Sequence, residues 1–89
     1  MNFGQALEAV KNGNNIARKG WNGKNQFVYL IEGREFQTGL HYGFGEYANE
    51  PTFVDALAIR TTKNEIQVGW LASQTDMLAN DWYILGEEE

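Results

Sequence analysis

Residues 27–31, FVYLI, are all β-branched, aromatic or aliphatic and lie between Asn25 and Gly33. This composition predicts a strand. A strand is not stable alone, so the rest of the chain has to supply its neighbours. NIARKGW (15–21) offers a short strand, followed by the loop GWNGKN. DALAIRTTKNEIQVGW (55–70) reads as a hairpin: apolar residues alternate at Ala56 and Ala58 or Leu57 and Ile59, then at Ile66 and Val68. Its turn falls near TKNE. DWYIL (81–85) supplies a closing strand.

Two helices flank these strands. In NFGQALEAVKNG, Phe3, Leu7 and Val10 recur at i, i+4 and i+7 with Ala6 on the same side. Asn2 is the expected N-cap, Lys11 complements the negative end of the dipole, and Gly13 is the stop. In LASQTDMLANDW, Ser73 followed by Asp76 matches a capping box, in which each side chain satisfies a free backbone amide of the first turn. The order predicts an α+β fold: a mostly antiparallel sheet, an N-terminal helix, and a short second helix before the last strand. Residues 1–86 form the expected domain and 87–89 an acidic tail.

Residues 34–53, REFQTGLHYGFGEYANEPTF, read as a long loop. Loops beyond about 12–15 residues are commonly functional or disordered. Disorder would leave Phe36, Leu40, Tyr42, Phe44, Tyr47 and Phe53 in water, so the segment is expected to pack on its own sheet, another subunit or a ligand. Gly39, Gly43 and Gly45 permit tight bends between the rings.

The chain has 89 residues, twelve aromatics and no cysteine. A core of this size is modest, and without disulfides or thiolate zinc sites the common source of further burial is another subunit. No apolar stretch approaches the roughly 20 residues of a membrane span, and no signal peptide is recognisable, which together suggest a cytosolic protein.

The net charge of −5 argues against a binder of long nucleic acid. Its distribution is uneven. No acid occurs from Ala9 to Ile31, where Lys11, Arg18, Lys19 and Lys24 fall; the remainder holds twelve acids against three bases. Either this is a local field for a small anion, or these are solvated cations near a helix C-terminus.

Catalytic chemistry is poorly represented. His41 is the single histidine, and no serine or cysteine is placed to pair with it. Asp76 is accounted for as a cap and Asp81 as a turn residue. No spacing suits a metal, and GWNGK lacks the spacing and hydroxyl of a phosphate loop. No cofactor is implied. Binding chemistry is better supplied. Trp21, Trp70 and Trp82 offer flat faces, each of which also has a plain reading as core. Trp82 suits the core best, and Trp21, in a glycine-flanked polar turn, suits it least. A base stacked on such a ring gains about 1–3 kcal/mol. Arg18 can fork a phosphate, Lys19 or Lys24 can add a charge, and amides at Ser73 suit a phosphate or ribose oxygen. These parts together fit an adenine ring with a pyrophosphate.

NFGQALEAVKNG, ARKGWNGK followed by FVYL, and WLASQTDMLANDW together resemble a family of small phage and prophage proteins, the second type of Thoeris anti-defence protein. The resemblance covers residues 2–31 and 70–84. It implies a non-enzymatic sponge that captures the cyclic ADP-ribose isomer made by a Thoeris TIR enzyme, in the host bacterial cytoplasm. It further implies a homotetramer with pockets between subunits, and in some relatives capture of cyclic oligonucleotides. The family pattern falls on Arg18, Gly20, Trp21 and Asn22, and on Trp70 through Asp76. Adding the stacking and charge arguments, the candidate ligand-binding residues are Arg18, Gly20, Trp21, Asn22, Lys24, Phe27, Trp70, Ser73 and Asp76. Trp21, Phe27 and Trp70 would be aromatic walls. Asn22, Ser73 and Asp76 would supply hydrogen bonds, with Asp76 serving both cap and ribose only if its two oxygens divide the work. Residues 34–64 match no family pattern. Two other classes remain open: an enzyme that degrades a cyclic nucleotide signal, and a protein-interaction module using the aromatic loop.

Overall fold

A computed structural model describes residues 1–21, 25–40 and 52–87. The elements run α1 (Phe3–Lys11), β1 (Ile16–Arg18), β2 (Phe27–Ile31), α2 (Gly33–Leu40), β3 (Ala56–Arg60), β4 (Ile66–Val68), α3 (Gln74–Leu78) and β5 (Trp82–Ile84). The strands form one five-stranded antiparallel sheet in the order β4-β3-β2-β1-β5. The fold is α+β, as the pattern of elements predicts.

The local signals account for the ends of α1. Asn2 accepts the Gln5 amide at 2.8 Å, and the Gln5 side chain accepts the Asn2 amide at 3.0 Å. Gly13, at φ 93°, turns the chain out of the helix in a conformation that glycine adopts without cost. The hairpin turns where expected: Thr61 donates its amide to the Glu65 carbonyl at 2.8 Å, and Asn64 takes φ 60°.

The expected loop at 34–53 is in part a helix. α2 occupies its first portion, and its signal is remote in sequence. The Gly33 amide is capped by Asp55 Oδ1 at 3.0 Å, and the Phe36 ring meets Phe53 edge-on at 5.3 Å. A Cβ on Gly33 would collide with the Phe53 carbonyl, so only glycine allows this approach. Tyr42, Phe44 and Tyr47, expected to pack, and the single histidine, His41, lie outside the described residues.

The helices α1 and α3 lie on one face of the sheet. Between them and the strands, Ala6, Ala9, Val10, Ile16, Val28 and Trp82 are buried. Phe3, Leu7, Trp21, Leu57, Ile59, Trp70, Ala79 and Ile84 pack around them. Trp82 is the largest fully buried side chain, so truncating it to alanine would cost about 3–5 kcal/mol. Because successive strand residues alternate faces, Phe27, Tyr29 and Arg60 stand on the opposite side. There the Phe27 and Tyr29 rings lie 5.9 Å apart, and the Arg60 guanidinium lies 5.9 Å from the Phe27 ring.

Candidate ligand-binding site

β1 ends at Arg18, and the chain turns at once: the Trp21 amide reaches back to the Arg18 carbonyl at 3.2 Å. This turn brings residues 18–21 against the N-terminus of α3 and the residue before β5. Arg18, only 14 % exposed, donates from Nε to Asp81 Oδ1 and from a terminal nitrogen to Asp76 Oδ1, both at 2.8 Å. Asp81 also holds the turn. Its Oδ2 accepts the Gly20 amide at 2.7 Å, and its carbonyl accepts the Lys19 amide at 3.1 Å. A Cβ at position 20 would sit 2.7 Å from that Oδ2, which Arg18 fixes in place. The close packing of this turn therefore requires glycine.

Asp76 is the hub. Its Oδ2 accepts the Ser73 amide at 3.2 Å while Ser73 Oγ accepts the Asp76 amide at 3.1 Å, the reciprocal box expected from sequence. Its Oδ1 accepts both Arg18 and the Trp21 indole N–H, the latter at 3.2 Å. Its backbone carbonyl accepts the Trp82 indole N–H at 2.9 Å.

The three indoles meet in a cluster of edge-to-face contacts. Ring centroids are 5.4 Å apart for Trp21 and Trp82, 6.2 Å for Trp70 and Trp82, and 6.3 Å for Trp21 and Trp70. Such pairs add about 0.5–1.5 kcal/mol beyond burial. Trp82 forms the buried floor, and Trp21 and Trp70 are half-buried above it. Trp70 is set by Gly69, at φ 92°, and by the hydrogen bond its backbone N–H donates to the Leu57 carbonyl at 2.9 Å.

The electrostatics follow from the pairing. Burial pushes the Asp76 carboxyl up, but hydrogen bonds from Arg18, Trp21 and Ser73 outweigh it and hold the group below the usual carboxylate range. Arg18, with the Gly20 amide, draws Asp81 down against a smaller effect of burial. Asp81 and then Asp76 hold Arg18 more firmly protonated. Two carboxylates and one guanidinium leave this corner with one net negative charge.

The structure thus brings Arg18, Gly20, Trp21, Trp70, Ser73 and Asp76 together. Phe27 is not among them within one chain, since it stands on the other sheet face. Asn22 and Lys24 lie outside the described residues. The fork of Arg18 is turned to carboxylates, and the Ser73 and Asp76 amides are spent on the capping box. Asp81, read from sequence as a turn residue, is a full member of the network. Its partner lies 63 residues away, and no local pattern marks such a pairing. Among the described residues, no group of His, Asp or Glu could hold a metal ion. None of the described helices is long and apolar enough to cross a membrane.

Comparison with known proteins shows the family. A family model described as Tad2-like, the Thoeris anti-defense 2-like domain, matches residues 1–85 and so spans every element of the fold. The chain belongs to that family. It is 47 % identical over 85 residues to "Thoeris anti-defense 2" of Bacillus phage SP01, a match covering 96 % of this chain and 94 % of the phage protein. Membership places this Thoeris anti-defense 2-like chain among phage anti-defense proteins, and the family resemblance carried by the motifs at 2–31 and 70–84 extends through the middle of the molecule.

Proposed function

We propose that this protein is a phage sponge that binds and sequesters the cyclic ADP-ribose-isomer signal of the Thoeris immune system without cleaving it. It acts in the host bacterial cytoplasm as a homotetramer, and cyclic oligonucleotides are secondary ligands of the same chemical kind. The observation that carries this reading is the pair of half-buried indoles, Trp21 and Trp70, held over Trp82 at one corner of the sheet. Fixed aromatic faces stack a purine at little ordering cost. The exposed Lys19, with Lys24 five residues on in sequence, supplies charge for the pyrophosphate. Asn22 and the Ser73 hydroxyl supply hydrogen bonds to base or ribose. Phe27, on the far face of the sheet, serves a pocket only from a neighbouring subunit, which agrees with pockets built between subunits.

The pairing of the two carboxylates with Arg18 suits neither of them to general acid–base work. A general acid or base at neutral pH needs a pKa near 7. Asp76 and Asp81 are instead drawn below the carboxylate range by their partners.

A capture-and-release assay tests the reading. The purified protein is mixed with the cyclic ADP-ribose isomer, free ligand is quantified, and the protein is heat-denatured before a second quantification. Signal that disappears and returns intact is the expected outcome. Signal that disappears and returns as product would mean an enzyme, and signal that never disappears would remove the ligand assignment altogether.

A further inference from the structure

Resting on the sponge reading, we infer that Arg18 is a positioning residue that orients the Trp21 indole through Asp76, and that it does not anchor the ligand's phosphates. Three observations converge. First, Arg18 is 14 % exposed, and its Nε and one terminal nitrogen are each within 2.8 Å of a different carboxylate. A phosphate approaching the guanidinium would meet two carboxylates and a net negative corner, so it would gain no net attraction there. Second, the Asp76 oxygen that binds Arg18 is the same oxygen that accepts the Trp21 indole N–H, at 3.2 Å. Any change in the Arg18 bond therefore moves the atom that sets the angle of the ring. Third, the backbone of the turn is tied to the same guanidinium: Asp81, held by Arg18 Nε, accepts the Gly20 amide one residue before Trp21. Arg18 thus fixes Trp21 from both ends, its indole N–H and its entering backbone.

Phosphate recognition then falls to the exposed Lys19 of the turn. Lys19 forms no ion pair with any of the described carboxylates. The corner divides the ligand accordingly: a rigid, net-acidic side that sets the stacking ring, and a solvated basic side for the pyrophosphate.

A double-mutant cycle tests this. Arg18→Lys keeps the positive charge, but a single ammonium cannot span both carboxylates in the same geometry. Trp21→Phe keeps a ring but lacks the N–H that reaches Asp76. Affinity for the cyclic ADP-ribose isomer is measured in the wild type, both single variants and the double, at two salt concentrations. Arg18→Lys should weaken binding about tenfold in the wild type and less than about twofold in the Trp21→Phe background, the non-additivity expected of coupled sites. Its salt dependence should equal that of the wild type, whereas Lys19→Ala should flatten it. An equal loss in both backgrounds, or a flatter salt dependence in Arg18→Lys, would overturn the inference in favour of a phosphate anchor.

A ligand-free readout separates this from failure of the sponge reading. The near-ultraviolet circular dichroism of the indoles should change in Arg18→Lys. If the wild type captures no signal, the sponge reading falls while this spectrum still decides the role of Arg18; an unchanged spectrum overturns it. If Arg18→Lys does not fold, Asp81→Asn, which loosens the Nε side of the fork and the tie to the Gly20 amide while leaving Arg18 on Asp76, carries the same cycle and spectrum.

Discussion

The helices α1 and α3 begin with the same device and use it differently. Each opens with a reciprocal capping box, Asn2 with Gln5 and Ser73 with Asp76. In α1 the box ends in a neutral side chain, and the helix is secured by burying Ala6, Ala9 and Val10. In α3, five residues long, no side chain is buried, and the box ends in a carboxylate that continues outward to Arg18 and Trp21. A helix this short gains little from its own hydrogen bonds. The cap of α1 therefore serves its helix, whereas the helix of α3 serves to present its cap.

The largest effect should come from Asp76→Ala. It removes the carboxylate half of the capping box, one partner of the Arg18 ion pair and the acceptor for the Trp21 indole. A stability loss of about 2–4 kcal/mol and a loss of most ligand binding are expected, by denaturant unfolding and equilibrium capture. A loss no greater than that of Asn2→Ala would abolish the contrast. Trp21→Ala comes next. With the fold intact by far-ultraviolet circular dichroism, affinity should fall about tenfold to a hundredfold, the value of one stacked base. Unchanged affinity would remove Trp21 from the pocket. Asn2→Ala should cost about 1 kcal/mol in unfolding and leave ligand affinity unaltered, because its side chain bonds to Gln5 and reaches no residue of the indole corner.

The smallest effect is a pH dependence confined to α3's corner. Asp76 and Asp81 have folded pKa values below their unfolded ones, so the unfolded chain binds more protons as acid is added. Their stabilisation is complete above about pH 4, the ordinary carboxylate value, and is lost as pH falls through their lowered values. Asp76→Asn should shallow the acid limb of a stability profile; a profile identical to that of the wild type would mean the carboxylate contributes nothing in its charged form.

What was legible in the sequence tracks the range of each interaction. Asn2 as the N-cap of α1 and the Ser73–Asp76 box of α3 were readable because each signal spans three residues, as were Gly13 as a stop and the turn of the 55–70 hairpin; the reciprocal bond to the Gln5 side chain was not read. The cap of α2 is Asp55, 22 residues from the amide it accepts, and that helix was read as loop. The Arg18 network joins residues 58 and 63 apart, so Arg18 read as a free fork and Asp81 as a turn residue. The sequence left the two oxygens of Asp76 to be shared between cap and ribose. In the structure one goes to the cap and the other to Arg18 and Trp21. Phe27 was grouped with Trp21 by chemistry, but strand alternation and the pairing of Ile16 with Val28 put it on the other face.

Strand β1 pairs with β2 on one side and with β5 on the other, and β5 brings the largest buried side chain in the molecule. In time, this means that a chain emerging from the ribosome carries α1 and β1 long before the residue that seals them. Neither the core nor the indole corner can close until Trp82 arrives, because it is the floor of both. Long-range pairing of this sort slows folding relative to local contacts. The indole corner and the core of each chain are thus closed by the same late residue, and neither forms without the other.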